Sequence, residues 1–227
     1  MNKTGLIILG AGLAVLPVFG ISETHLFNNV NLPIPDGSAI GQFDSHIIDS
    51  TFDSISSLRV VLEIQGDFNG DLYAVLSHES GAYSVLLNRI SRTSANPLGS
   101  AGHGLNVTFF DAATDIHTAD PSAAGLTGVW APDAREQDPS STLEADPRTA
   151  FLSSFNGINP DGEWTLFLAD LEAGGTSTLL GWGLEFETNP FSTVPDSAPT
   201  ACLLLFGLAG LIRAWRPLTR RPPPRHA

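Results

Sequence analysis

Two tryptophans, Trp164 and Trp182, stand in apolar rows on either side of a Gly-Gly loop, and no other stretch limits the fold as tightly. On the first side Trp164, Leu166 and Leu168 alternate with Glu163, Thr165 and Phe167, the pattern of a strand with one face toward a core. Asn159-Pro160-Asp161-Gly162 opens that strand as a turn, because proline presets φ and glycine tolerates positive φ. After Asp170 the chain passes Gly174-Gly175. It resumes with Leu180, Trp182, Leu184 and Phe186 expected inward and Gly181, Gly183, Glu185 and Glu187 outward. The pattern predicts a hairpin. A buried aromatic ring hides on the order of 150–250 Å², so this unit belongs to a core and not to a catalytic loop.

The rest of the body has the same period. Leu58, Val60, Leu62 and Ile64 form one face of a strand, and Ile40 to Ile48 is a second. A strand Leu72–Ser77, a Ser80-Gly81 turn and a strand Tyr83–Asn88 predict a hairpin. Leu105 to Ala113 is a further strand, while Ser91 to Gly104 has no apolar period. Thr114 to Asp146, with Pro121, Pro132 and Pro139, is long and irregular, as a functional loop or a cover over a sheet edge would be. No repeat or heptad is present. About seven to nine short strands separated by turns predict an all-β fold, an antiparallel β-sandwich over residues 23–190.

Several of these segments resemble the P domain (P/Homo B domain) of the proprotein convertases. Asp161-Gly162-Glu163-Trp164-Thr165-Leu166, then Asp170, then Gly181-Trp182-Gly183-Leu184 are similar to the Trp-Thr-Leu and Trp-x-Leu strands that close that domain. Ile34-Pro35-Asp36 resembles its opening element. Gly70, Asp71, Leu72, Leu76, Ser77 and Gly81 match a second segment, with Gln65 or Gly66 in place of its histidine and His78 in place of its proline. Asn106, Phe109, Asp111 and Ala113 match a third. The resemblance implies a jelly-roll sandwich without catalytic residues, with Asp170 capping the turn toward Glu172–Gly175. P domains normally follow a subtilisin-like catalytic domain. The Asp, His and Ser blocks of that domain are absent from this sequence, so proteolysis enters only by association, through a peptidase on another chain.

The ends read as addresses. Residues 1–22, with Lys3 and then an apolar run closing on Val18-Phe19-Gly20, predict a secretory signal peptide, since the run is shorter than the roughly 20 residues needed to span a bilayer. Residues 191–197 form a linker ending in Val194-Pro195-Asp196-Ser197. An apolar segment, 198–212, and a basic tail, 213–227, with Arg213, Arg216, Arg220 and Arg221 follow. As a helix the apolar segment spans only about 22 Å, and the arginines hold its end in the cytoplasm. This order resembles the PEP-CTERM sorting signal read by exosortases, in a Val-Pro-Asp-Ser variant. It implies two hydrophobic targeting helices around the body, transient anchoring in the inner membrane, cleavage near Pro195–Ser197 and release to the cell surface or matrix. A retained single-pass anchor is the rival reading.

Charge and chemistry narrow the function. Between Glu23 and Asp196 five arginines and no lysine face 24 acidic residues, a net charge of −19, which repels phosphate backbones and argues against nucleic acid as a partner. The one cysteine, Cys202, allows no intramolecular disulfide. No Gly-x-Ser-x-Gly elbow or His-Glu-x-x-His motif occurs. His25, His46, His78, His103, His117 and His226 lack ligand spacing and are expected at surface or structural positions. Asp67, Asn69 and Asp71 alternate like the start of a Ca²⁺ loop, but the sixth position is Leu72 and the twelfth His78, so the EF-hand pattern fails. Asp71 with Asp111 or Asp115 would share a Ca²⁺ ion if their loops met; a solvated acidic turn is the other reading. The expectation is a non-catalytic exported module that binds a cell-surface or matrix polymer. The alternative is an accessory domain for a secreted serine endopeptidase.

Overall fold

The computed structural model describes residues 20–120 and 125–188. Most of the signal segment 1–22, the sorting motif Val194–Ser197, the apolar segment 198–212 and the tail arginines Arg213, Arg216, Arg220 and Arg221 lie outside them. Among the described residues no helix is long and apolar enough to cross a membrane.

Among the described residues nine strands form two sheets. Sheet one holds β1 (Ile21–Ile34), β3 (Ser57–Gly66), β6 (Leu105–Phe109), β7 (Leu126–Trp130) and β9 (Ser177–Thr188), in the order β1-β9-β3-β6-β7. Sheet two holds β2 (Ser38–Ile48), β4 (Leu72–His78), β5 (Tyr83–Asn88) and β8 (Gly162–Asp170), in the order β2-β8-β4-β5. The fold is all-β, as expected. Every pairing is antiparallel except β6 with β7, which run parallel. That pair departs from the antiparallel order predicted throughout.

Alternation explains the core. Leu58, Val60, Leu62 and Ile64 of β3 meet Leu72, Ala74 and Leu76 of β4 and Trp164, Leu166 and Leu168 of β8 in one buried cluster drawn from both sheets. Trp164 is wholly buried, its ring 5.4 Å from Phe186 and 5.0 Å from Phe155, and its Nε1–H donates to the Pro160 carbonyl at 2.8 Å. Trp182 packs 4.7 Å from Phe27 and donates from Nε1 to Asp44 Oδ2 at 2.7 Å.

The two tryptophan strands do not form the predicted hairpin. β8 lies in sheet two and β9 in sheet one, so the Gly174-Gly175 loop crosses between layers. Each tryptophan enters the core from its own side. The inward row also breaks at Leu180. The register of β3 with β9 shifts between Glu63 and Ile64, pairing Glu63 with Gly181 and Ile64 with Leu179. Leu179 is therefore buried, and Leu180 turns outward. β6 ends at Phe109, short of the predicted Ala113, because Asp111 leaves the sheet to receive the amides of Leu152 and Ser153 at 2.9 and 2.8 Å. β1 runs from Ile21 to Ile34, ahead of the strands that alternation predicts. Asn29 and Asn31, both at positive φ, interrupt its period.

The long irregular segment covers an edge. Asp133 and Ala134 donate their amides to the carbonyls of Leu86 and Val85 on β5, and Val85 donates to Ala150. The outer strand of sheet two is thereby closed to further pairing, a common protection for an edge.

Candidate functional site

The structure does not bring the five predicted calcium ligands into one set. Asp67 Oδ1 lies 3.0 Å from His103 Nδ1 at the surface. Asn69, in a single 3-10 turn at Asn69–Asp71, donates from Nδ2 to the Gly104 carbonyl at 2.8 Å. Asp71 faces Arg89, and Asp111 holds the Leu152 and Ser153 amides. Asp115 receives Arg135 Nη2 at 2.9 Å and the His117 amide at 3.0 Å, with Arg148 Nε 3.5 Å away. The oxygens of Asp71, Asp111 and Asp115 face amides and guanidinium groups and that of Asp67 an imidazole, an arrangement unlike the shared oxygen cage that Ca²⁺ takes. Among the described residues no group of three or more His, Cys, Asp or Glu side chains is placed to hold a metal.

Asp71 instead belongs to a cluster that centres on Arg89. Arg89 is 2% exposed and sits at φ 60°, donating from Nε to the Gly70 carbonyl and from Nη1 to Glu172 Oε1 at 3.0 Å. Its Nη2 is 3.7 Å from Asp71 Oδ1. Burial pushes the Asp71 carboxyl up to about 6; Arg89 opposes the rise, and Asp170, Glu172 and Asp36 add to it. Asp170 is pushed up to about 6 by burial and then by Asp36, while hydrogen bonds from the Glu172 backbone and the Ser177 side chain pull the other way. Asp170 thus accepts from the turn that follows it. Its Oδ1 makes no hydrogen bond.

Sequence reasoning missed a second buried network. His117 Nε2 lies 2.8 Å from the Arg92 carbonyl, and its Nδ1 faces Asp133. Both neighbours are acceptors, so the doubly protonated ring satisfies both contacts. Burial would lower the His117 pKa, but the hydrogen bond and charge of Asp133 outweigh it and raise it. Arg135 donates from Nη1 to Asp133 Oδ1 at 3.2 Å and from Nη2 to the Glu144 carbonyl at 2.8 Å. Histidine, aspartate and arginine here pin the irregular segment to the sandwich. Scarcity is the one signal that points to them: a body with five arginines commits two, Arg89 and Arg135, to the interior.

The open feature is a groove of about 760 Å³ on the outer face of sheet one. Glu63, Gln65, Asn106, Thr127 and Thr178 supply polar groups, and the outward Leu180 supplies an apolar one. These are the alternate positions of strands whose other face makes the core. The groove is wide and shallow, and Glu63 and Asp67 add two carboxylates to a lining that otherwise donates and accepts through neutral side chains.

No family model matches the chain, and no curated protein matches it. Among solved structures the chain is similar to the serine protease of Aeromonas sobria in complex with its chaperone, at 12% identity and a TM-score of 0.41 over 78% of this chain. It is similar to a second structure, of the serine protease of Aeromonas sobria, at 12% identity and a TM-score of 0.39 over 78% of this chain. A third likeness is to dimeric latent PorU of Porphyromonas gingivalis, at 14% identity and a TM-score of 0.34 over 82% of this chain. The chain spans 28% of the Aeromonas protease chain and 15% of PorU.

Proposed function

We propose that the chain is an exported, non-catalytic binding module of jelly-roll type that acts at the cell surface or in the extracellular matrix. The groove on sheet one carries the reading. Its run across four strands and its polar lining suit an extended polymer and leave no enclosed space for a reacting group. The strand order supports the jelly roll: β1-β9-β3-β6 faces β2-β8-β4-β5, with β7 added at one edge. Export, transient anchoring and exosortase-type processing belong to the same proposal and rest on the sequence of the two ends.

Co-sedimentation of the full-length chain with the insoluble matrix of its own cells tests the binding. The chain is expected in the pellet, with a Gln65→Ala/Asn106→Ala double variant shifted to the supernatant. Wild-type chain that stays wholly soluble would overturn the proposal. A second reading, an accessory domain for a secreted serine endopeptidase, draws on the P-domain resemblance of the β8 and β9 sequences. Co-purification with such a peptidase, together with loss of its activity when the module is deleted, would favour that reading over the first.

A further inference from the structure

We infer that the outer face of sheet two is a separate ligand surface, built to hold a neutral saccharide. Two cross-strand rows define it. Phe43, Phe167 and Val75 stand opposite one another on β2, β8 and β4, and Tyr73 meets Phe167 edge-on at 6.3 Å between ring centroids. In the neighbouring row Ser45, Thr165 and Ser77 stand opposite, with Ser45 Oγ 2.7 Å from Thr165 Oγ1. Beside Phe167 a pocket of about 390 Å³ opens, lined among others by Tyr73, Arg89, Asp138, Ser140 and Glu172.

Three observations select the ligand class. First, the aromatic groups are presented outward and held in place: Phe43 is 66% exposed. Phe167 lies against Gly41, where a Cβ would stand 2.6 Å from its Cζ. A ring already fixed loses little freedom when a ligand stacks on it, and the C–H face of a sugar is such a ligand. Second, Arg89 lines the pocket, and its buried Nη2, 3.7 Å from Asp71 Oδ1, makes no hydrogen bond; a ligand hydroxyl that reached it would supply one. Third, the charges disfavour polyanions: Asp138 and Glu172 repel them, in keeping with the chain's net charge of −13, and the Arg89 cation is already paired with Glu172 and Asp71. Hydroxyl groups that both donate and accept satisfy carboxylates, guanidinium and the serine–threonine row together.

Affinity electrophoresis of the full-length chain tests this, in native gels containing hydroxyethylcellulose, dextran or galactomannan, with alginate and oligolysine as charged probes. Retardation by at least one neutral polymer is expected. Phe43→Ala and Phe167→Ala are expected to weaken it at least tenfold, and the groove variant Gln65→Ala/Asn106→Ala to leave it intact. Should Phe167→Ala fail to melt cooperatively, Phe43→Ala alone decides, since that ring is mostly in solvent. No retardation by any neutral polymer overturns the inference, as does retardation that survives both ring variants. A response confined to alginate or oligolysine overturns it too. So does a wild-type dimer that Phe43→Ala dissociates, because the face would then be an interface between copies. Loss of matrix binding only in the groove variant bears on the groove, whereas loss of glycan retardation only in the ring variants bears on this surface.

Discussion

His117 Nδ1 lies 2.7 Å from Asp133 Oδ2, and neither side chain has any solvent exposure. Removing one partner of such a pair leaves the other charged and buried, which costs about 3–5 kcal/mol. Asp133→Ala is expected to fall in that range by urea unfolding, because it strands His117 and removes one of the two carboxylates that Arg135 faces. A change below about 1 kcal/mol would show that the irregular segment is held in place by something else.

Stability should decline from acid to neutral pH. Asp71 and Asp170 have folded pKa values pushed up to about 6 from 3.8, so their contribution is full below about pH 4 and is lost as pH rises through about 6. His117 has the same sign and a later window. Its pKa is raised from 6.5, so its contribution holds below that value and is lost as pH rises through the higher folded pKa. Melting temperature measured from pH 4 to 9 is expected to fall across both windows. Asp170→Asn should flatten the first leg and His117→Asn the second. A profile unchanged by either variant would mean that general charge repulsion sets it.

Trp164→Ala and Trp182→Ala should each cost roughly 3–5 kcal/mol, since each leaves a large cavity in a core with little room to collapse. The two should differ in one respect. Trp182→Phe keeps most of the volume but takes the indole donor from Asp44, which retains His46 Nε2 at 3.0 Å as a partner. It should therefore cost less than the alanine change, and a melting temperature untouched by Trp182→Ala would contradict the core assignment.

What the sequence made legible was the set of strands with unbroken alternation, namely β3, β4 and β8. Each presents apolar residues at every second position, and each is bounded by Gly, Asn or Ser turns. Alternation says which face is inward but not which sheet a strand joins, so the layer crossing between Trp164 and Trp182 was invisible. A register shift is equally silent, and one such shift turned Leu180 from core to groove. Spacing suggested Asp67, Asn69 and Asp71 as one ligand set. The 3-10 turn instead aims Asp71 at Arg89, a residue 18 positions further on, while Asp67 meets His103. His117, Asp133 and Arg135 meet only after an irregular segment has folded, and irregular segments carry no period to read.

Gly41 offers a test of how β2 is seated. It lies at φ +60°, beside the register shift between Ser38 and Gln42, and a Cβ there would stand 2.3 Å from the Leu168 carbonyl oxygen. Alanine at this position meets two costs. A left-handed backbone costs an L-residue roughly 1–2 kcal/mol, and forcing a methyl against backbone adds about 1–3 kcal/mol. Gly41→Ala is therefore expected to lose about 2–5 kcal/mol by urea unfolding. Hydrogen exchange should quicken first at β2 and the adjoining half of β8, because the strain is relieved by parting those two strands while β4 and β5 keep their own ladder. The Phe167 ring loses its seat in the same step, so neutral-glycan retardation should weaken even where the fold survives. Unchanged exchange at β2 would mean that the strand absorbs the methyl without moving.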